Sequence, residues 1–130
     1  MTRGAPLVHH ELCFGCGRAN LFGLLAELER REDSSVVGRC FLKQDHQGPE
    51  AGTAHPGIVA AALIEAISFA RGGQPSDVEL RFESQAPVGG FLDIEATSRQ
   101  ARASSEGRLV ASATAAVNPT GARPPRRPRP

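Results

Sequence analysis

The chain contains neither tryptophan nor tyrosine, and its six phenylalanines make up all of the 5% aromatic content. Aliphatic side chains and alanine must therefore fill the interior, and 130 residues are enough for one domain with a single core. The sequence also lacks an apolar run of the ~20 residues that a membrane-spanning helix needs. Its first ten residues, MTRGAPLVHH, lack the apolar stretch of a signal peptide. We therefore expect no membrane partner.

The three cysteines are an odd number, which argues against a disulfide framework and favours a reducing, cytoplasmic location. Cys13 and Cys16 form a Cys-x-x-Cys pair that follows His9 and His10, an arrangement in which a zinc site is conceivable. The sequence lacks a second cysteine pair, and it lacks the βαβ context of a thioredoxin-like redox pair. We therefore expect a backbone turn that packs against the sheet, without a metal or a cofactor.

The net charge of +1 conceals an uneven distribution along the chain. The last ten residues, GARPPRRPRP, hold four of the fifteen basic residues and no acidic one, so the preceding 120 residues have eleven basic against fourteen acidic side chains. A body of net charge −3 has no broad basic surface for nucleic acid. The composition predicts an arm at residues 1–10, one domain at 11–118 and a disordered Pro/Arg-rich tail at 119–130.

Alternating apolar and polar residues predict strands on both sides of a long apolar segment. In the first strand Leu24, Ala26 and Leu28 share one face. The predicted strands are residues 21–30, 36–42, 78–83, 92–96 with a continuation toward 103, and 109–117.

The apolar segment at residues 58–70 has only two polar positions, Glu65 and Ser68. This pattern predicts a helix that is buried on most of its sides, and Gly72 and Gly73 end it. The order is then two strands, one helix and three strands, which indicates an α+β fold with one helix against an antiparallel sheet. The sheet must curve around the helix, because the helix has no polar face for water.

Four segments of the chain, CFGCGRANLFGL, HQG, AHPGIVAAALIEA and VELRFESQAPVG, together resemble the hotdog-fold thioesterase superfamily, in particular its PaaI-like acyl-CoA thioesterases. The resemblance covers roughly residues 11–117. It implies a long central helix wrapped by a curved antiparallel sheet, a homodimer or homotetramer with active sites between subunits, and an acyl-CoA or acyl-carrier-protein substrate. Residues 92–117 have room for two strands, where the family commonly has three.

The chemistry of thioester hydrolysis requires a group that stabilises the oxyanion and a base that activates water. The start of a buried helix suits the first task, since its free N–H groups favour negative charge. His55 would orient the helix start and Gly57 would donate its N–H. In the family the first glycine of His-Gly-Gly donates, but Pro56 stands there and has no N–H. The family's catalytic carboxylate lies nine positions after the histidine, where this chain has Ile64.

Two carboxylates are candidates for a relocated base. Glu65 is one position further on, which rotates its side chain by about 100° around the helix; the alternative is a carboxylate paired at a sheet edge or interface. Asp77 precedes a strand where the family has a Ser or Thr that reaches the site, and the alternative is an acid that faces solvent. His46 and Gln47 belong to the loop that lines the family's pocket, with solvated side chains as the alternative.

We therefore predict an acyl thioester hydrolase with His55, Gly57 and either Glu65 or Asp77 as catalytic residues. His46, Gln47, Pro56 and Ile64 would contact the substrate. One alternative is a non-hydrolytic enzyme of the same fold, a dehydratase, isomerase or cyclase, in which His55 and Glu65 would act together. The other is a protein that binds acyl thioesters without turnover, which Pro56 and Ile64 favour.

Overall fold

The computed structural model describes residues 5–116, and in that range one helix packs against a six-stranded antiparallel sheet. The helix, α1, spans Pro56–Arg71. The strands are β1 (Glu27–Arg30), β2 (Val36–Phe41), β3 (Val78–Phe82), β4 (Phe91–Ala96), β5 (Gln100–Ser105) and β6 (Arg108–Ala115). They lie in the order β1-β2-β4-β5-β6-β3. The tail predicted at 119–130 lies outside the described residues, and the domain boundaries at 11 and 118 stay predictions.

Helix α1 begins and ends at residues suited to those positions. His55 is the N-cap and Pro56 the first helical residue, where the missing proline N–H costs nothing. Gly72 ends the helix in the left-handed conformation, with φ of 76°, and donates its N–H to the carbonyl of Ser68. The helix packs on β2, β4, β5 and β6, and seven of its residues are buried: Val59, Ala62, Leu63, Ala66, Ile67, Ser68 and Phe69.

The opposite face of α1 is not covered to the same extent. Ala60, Ala61 and Ile64 are half-buried, and none of residues 58–70 is exposed, as expected for a helix buried on most sides. One sheet can cover only one face of a helix, so a second face of small apolar side chains is left for other contacts. None of the described helices is long and apolar enough to cross a membrane.

The prediction of two strands between residues 92 and 117 is wrong, because the structure has three, β4, β5 and β6. The predicted continuous strand toward residue 103 is interrupted by a tight turn after Ala96. The hydroxyl of Thr97 accepts the N–H groups of Arg99 and Gln100, at 3.3 and 3.2 Å. This turn contains Thr97 and Ser98, which favour turns more weakly than glycine or proline do, so no strong turn signal marks it in the sequence.

The first strand is also shorter than predicted. Leu24, Ala26 and Leu28 are all buried, but Leu25 has a φ of 50° and interrupts the extended backbone, so β1 starts only at Glu27. The preceding residues run along its outer edge. Leu7 donates its N–H to the carbonyl of Leu28, at 2.8 Å, and Ala26 donates to Gly15, at 2.9 Å. This N-terminal segment, residues 7–17, covers the edge of β1.

Candidate active site

The helix start, residues 55–57, is closed by its own cap. The Nδ1 atom of His55 accepts the N–H of Gly57 at 2.8 Å, and the carbonyl of His55 accepts the N–H of Ile58 at 2.9 Å. Pro56 contributes no donor. All three residues are exposed. The Gly57 N–H is therefore available to a ligand only when the His55 ring turns away.

The loop before the helix uses its polar side chains to hold its own shape. Gln47 accepts the N–H of Gly52 at 2.6 Å and donates to the carbonyl of Gln44 at 2.9 Å. His46 is buried, and its carbonyl accepts the N–H of His55 at 2.8 Å. Burial, followed by the positive charge of Lys43, lowers the pKa of His46 below its ordinary value of 6.5. His46 and Gln47 thus position His55 in this chain, and direct contact with substrate stays a prediction.

An open, largely apolar depression lies beside the helix start. Its volume is about 330 Å³, and Pro56, Val59, Phe82 and Val110 line it together with the carboxylate-bearing Glu83. Phe82 is 48% exposed. An apolar hollow next to a helix start suits an acyl or aryl group. Phe82 and Glu83 were not among the predicted site residues. Their position at the end of a segment with alternating apolar and polar residues could have pointed to them.

Neither candidate base lies at the helix start of its own chain. Glu65 is about 12 Å further along the helix axis than Gly57, because each residue advances the helix by ~1.5 Å. Ile64, one position earlier, is half-buried. Asp77 is exposed at the beginning of β3, about 17 Å from the Phe82 end of that strand at ~3.4 Å per residue. His55 and Glu65 are therefore not brought together within one chain.

Glu65 instead meets the N-terminal segment. Its Oε2 atom lies 3.0 Å from Nδ1 of His9 and 3.4 Å from Sγ of Cys13. Cys13 and Cys16 stand on a turn in which Gly17 donates its N–H to the carbonyl of Cys13, at 2.8 Å. A turn packed against the sheet was expected here; the turn is present, and Cys13 and Gly15 contact Glu65 of α1. We call His9, Cys13, Cys16 and Glu65 the cysteine cluster, since their four potential ligand atoms lie within 4.8 Å of one another.

Burial raises the pKa of two of the thiols, those of Cys16 and Cys40. Desolvation, followed by the hydrogen bond with Glu65, raises the pKa of Cys16 to about 12. Desolvation also raises the pKa of Cys40 to about 12. Cys40 is a core residue of β2 and 2% exposed, so it is a packing residue without reactivity.

Comparisons with known proteins identify the fold. The chain matches none of the known family models and no curated protein. A thioesterase superfamily protein of solved structure superposes with a TM-score of 0.70 at 22% identity, over 81% of this chain and 59% of its own length. A variant of the phenylacetic acid degradation protein PaaI from Thermus thermophilus superposes with a TM-score of 0.60 at 21% identity, over 69% of this chain and 89% of its own.

A third similar structure was determined with coenzyme A. It is a hypothetical thioesterase protein from Streptococcus pneumoniae, with a TM-score of 0.56 and 18% identity over 69% of this chain and 81% of its own. The described chain spans less than two thirds of the length of the first of these proteins. In this protein one helix packs against a six-stranded antiparallel sheet, and that arrangement superposes on these structures. The chain therefore has the α+β hotdog fold that its sequence resemblance predicted.

Proposed function

We propose that the protein hydrolyses acyl thioesters of CoA or of an acyl carrier protein, as a homodimer with the thioester bound at the helix start. The single observation that carries the proposal is the course of β3. This strand begins beside Asp77 and ends at Phe82, which lines the depression beside Pro56. Similar folds occur in proteins described as thioesterases, one of them with coenzyme A, which supports the substrate class.

The edge of β3 allows two copies to share their carboxylates. Among residues 5–116, β3 pairs only with β6, so its outer edge has no neighbouring strand. The backbone carbonyl of Asp77 accepts the N–H of Ala116, just after β6, at 3.0 Å, and the N–H of Glu83 donates to the carbonyl of Val110 in β6 at 2.8 Å. Because hydrogen bonding alternates along an antiparallel strand, the N–H groups of Val78, Leu80 and Phe82 point toward the open edge. Two β3 strands can therefore pair across a two-fold axis.

Antiparallel pairing of these edges would exchange their ends. With Leu80 near the two-fold axis, Asp77 of the partner subunit lies opposite residue 83, at the depression beside the helix start. This supplies a carboxylate where Ile64 provides none. Glu65 is the weaker candidate, since its carboxylate is held by His9 and Cys13 far along the helix.

The reaction then needs one conformational step. The ring of His55 turns away from Gly57, whose N–H donates to the thioester oxygen and stabilises the oxyanion. Water attacks the carbonyl carbon while Asp77 of the partner subunit accepts its proton. The carbon–sulfur bond breaks, and the proton returns to the leaving thiolate. His46 and Gln47 act through the loop that positions His55.

A second function is favoured by the cap itself. Because the N–H of Gly57 already has an acceptor in His55 and Pro56 has no N–H, the helix start offers no ready oxyanion donor. A protein of this kind would bind acyl thioesters in the depression without hydrolysing them. A dehydratase that pairs His55 with Glu65 has less support, since the two residues are far apart in one chain.

The test follows the release of free thiol from short, long and aromatic acyl-CoAs. Wild type is compared with Asp77→Asn, and with Glu65→Gln as the matched change at the other carboxylate. Asp77→Asn is expected to lower kcat by about 10²- to 10⁴-fold, the range for loss of a general base, while Glu65→Gln keeps the wild-type rate.

Other outcomes would redirect the assignment. A rate loss in Glu65→Gln or in Glu83→Gln, with Asp77→Asn unaffected, would place the base in that residue instead. Absence of thiol release with every acyl-CoA, together with thermal stabilisation by an acyl-CoA, would show that the protein binds thioesters without hydrolysing them.

A further inference from the structure

We propose that the cysteine cluster binds one Zn²⁺ ion, which fastens the N-terminal segment to the central helix. The cluster lies toward the C-terminal end of α1, away from the helix start. The zinc proposal is independent of the proposed hydrolysis. Two thiols, an imidazole and a carboxylate are ligands that zinc accepts in tetrahedral sites. The two sulfur ligands and the imidazole disfavour Mg²⁺ and Ca²⁺, which prefer oxygen.

The spacing of the four ligand atoms matches the edges of a zinc tetrahedron. Ligand distances of ~2.3 Å for sulfur, ~2.05 Å for nitrogen and ~2.1 Å for oxygen give edges of about 3.6 Å for S–N and S–O pairs and about 3.4 Å for N–O. In the structure Nδ1 of His9 lies 3.7 Å from Sγ of Cys13 and 3.5 Å from Sγ of Cys16.

Two further distances involve the carboxylate and bring the compared edges to four of six; the other two, between the sulfur atoms and from Sγ of Cys16 to Glu65, are no longer than 4.8 Å. Oε2 of Glu65 lies 3.4 Å from Sγ of Cys13 and 3.0 Å from Nδ1 of His9. Each observed edge is within about 0.4 Å of the tetrahedral value derived from those ligand distances. Small side-chain adjustments would therefore bring all four atoms to bonding distance of one ion.

The surroundings hold the ligands in place. The ring of His9 stacks on Phe69 with centroids 3.9 Å apart and planes 6° from parallel, which fixes the direction of Nδ1. The N–H of His9 donates to Sγ of Cys16 at 3.1 Å, as backbone donors do around metal-bound sulfur. Cys16 is 2% exposed and the Glu65 side chain 12%, whereas the His9 side chain is 37% exposed, so the site is closed toward the core and open to solvent on the His9 side.

Gly15, between the two cysteines, permits the close approach of Glu65. A β-carbon at this position would overlap with the side chain of Glu65. Gly17 is equally constrained, because a β-carbon there would overlap with the backbone of Glu11 and Cys13. The turn is thus shaped so that both sulfur atoms and the helix carboxylate face one point.

The role of the ion follows from its four protein ligands. With all four tetrahedral positions filled by side chains, no position is open for water or substrate, so the site is structural. The N-terminal segment packs few large side chains of its own, since Leu12 is 66% exposed and Phe14 44% exposed. The ion would replace this missing packing and hold the segment on the edge of β1.

No metal was predicted from the sequence, because a second cysteine pair is absent. The fold supplies the other two ligands instead, from His9 just before the turn and from Glu65, which is 52 positions after Cys13. No local spacing pattern reveals a ligand at that separation.

The experiment uses the full chain, prepared without a histidine tag and under reducing conditions. Zinc is measured by elemental analysis of the purified protein and again after removal with a chelator and re-addition of equimolar Zn²⁺. One zinc per chain is expected, and its removal is expected to lower the Tm. The Co²⁺-substituted protein is expected to show the intense visible absorption of tetrahedral sulfur coordination.

Matched variants locate the site. His9→Gln and Cys13→Ser are expected to lose stoichiometric zinc, whereas His10→Gln, which changes the neighbouring exposed histidine, is expected to keep it. Wild type without zinc after re-addition, octahedral cobalt spectra, or equal zinc content in His9→Gln and His10→Gln would each overturn the proposal. The cobalt spectrum of wild type decides the question even if a ligand variant fails to fold.

Discussion

Buried His46 supports the loop that leads to the helix start, because its carbonyl accepts the N–H of His55. Its Nδ1 accepts the N–H of Lys43 at 3.1 Å, while its Nε2 is buried without a partner among the described residues. A second proton would place a charge at this buried position beside Lys43, with Asp45 giving only partial compensation. The neutral ring is therefore required for the loop that carries His55.

This requirement predicts a pH-dependent stability. The pKa of His46 is lowered in the folded chain, whereas the unfolded chain has the ordinary value of 6.5. Below that value the unfolded state binds more protons, so the free energy of unfolding decreases as the pH falls from about 6.5 through the lowered folded pKa. Above pH 6.5 His46 makes no contribution to the pH dependence of the free energy of unfolding.

Urea unfolding at pH 7.5 and pH 5 measures this effect. His46→Gln keeps a hydrogen-bond acceptor but cannot be protonated, so it should lose less stability between the two pH values than wild type does. Equal losses in the two proteins would mean that His46 is protonated as easily in the folded chain as in the unfolded one.

At the residue scale, sequence reasoning found the helix start but not the surroundings of its candidates. His55, Pro56 and Gly57 are consecutive, so their placement followed from the helix boundary. The contact between His9 and Glu65 joins positions 56 apart, and it depends on how the N-terminal segment crosses α1. The positions of Asp77 and Glu83 relative to the depression likewise depend on the direction of β3.

At the scale of elements, the backbones of β1 and β2 approach each other closely at Gly38. Gly38 of β2 pairs with Leu28 of β1 and with Ile94 of β4. A β-carbon at Gly38 would overlap with the carbonyl of Glu27, a backbone group that cannot rotate away. Glycine in the middle of this strand is therefore needed for β1 to stay paired.

Gly38→Ala is expected to destabilise the protein by about 1–3 kcal/mol or more, as overpacked sites do. Gly73→Ala is the control, since a β-carbon there meets nothing within 4 Å. Chemical denaturation of the two variants and wild type provides the comparison. If Gly38→Ala is as stable as Gly73→Ala, the strands β1 and β2 must be able to separate without cost.

The elements themselves were predictable to different degrees. The helix was found because its apolar run is long and ends at Gly72, while β3 showed clear alternation. Strand β5 was missed because its core positions, Ala101 and Ala103, are small and its turn from β4 is formed by Thr97 rather than by glycine or proline. Side chains so small give a weak hydrophobic pattern.

For the whole molecule, two features fit the proposed homodimer: among residues 5–116 the outer edge of β3 has no neighbouring strand, and one face of α1 is half-buried. An open strand edge offers unpaired backbone groups to another chain. The half-buried Ala60, Ala61 and Ile64 add apolar surface that one sheet does not cover. A homodimer would satisfy the first of these features through β3 pairing.

Leu80→Pro tests this arrangement, because it removes an N–H that points toward the open edge and leaves the bonds to β6 intact. The variant is expected to be a folded monomer by light scattering and circular dichroism, with little remaining thioesterase activity. Leu80→Ala removes the same side chain but keeps the N–H, and it should remain a dimer. Monomeric wild type, or a dimeric Leu80→Pro, would contradict pairing through β3.

The hydrogen bonds of the N-terminal segment along β1 also limit how many chains can join. A sheet has two edges, and within residues 5–116 one of them is already covered. Each subunit would therefore have one free edge for strand pairing. A dimer formed through β3 would leave no edge for a third chain. Release of the N-terminal segment would free the β1 edge as well. Chains would then join edge to edge into a linear polymer. In the proposed dimer, a contact at the far end of the sheet from the interface would thus limit the assembly to two chains.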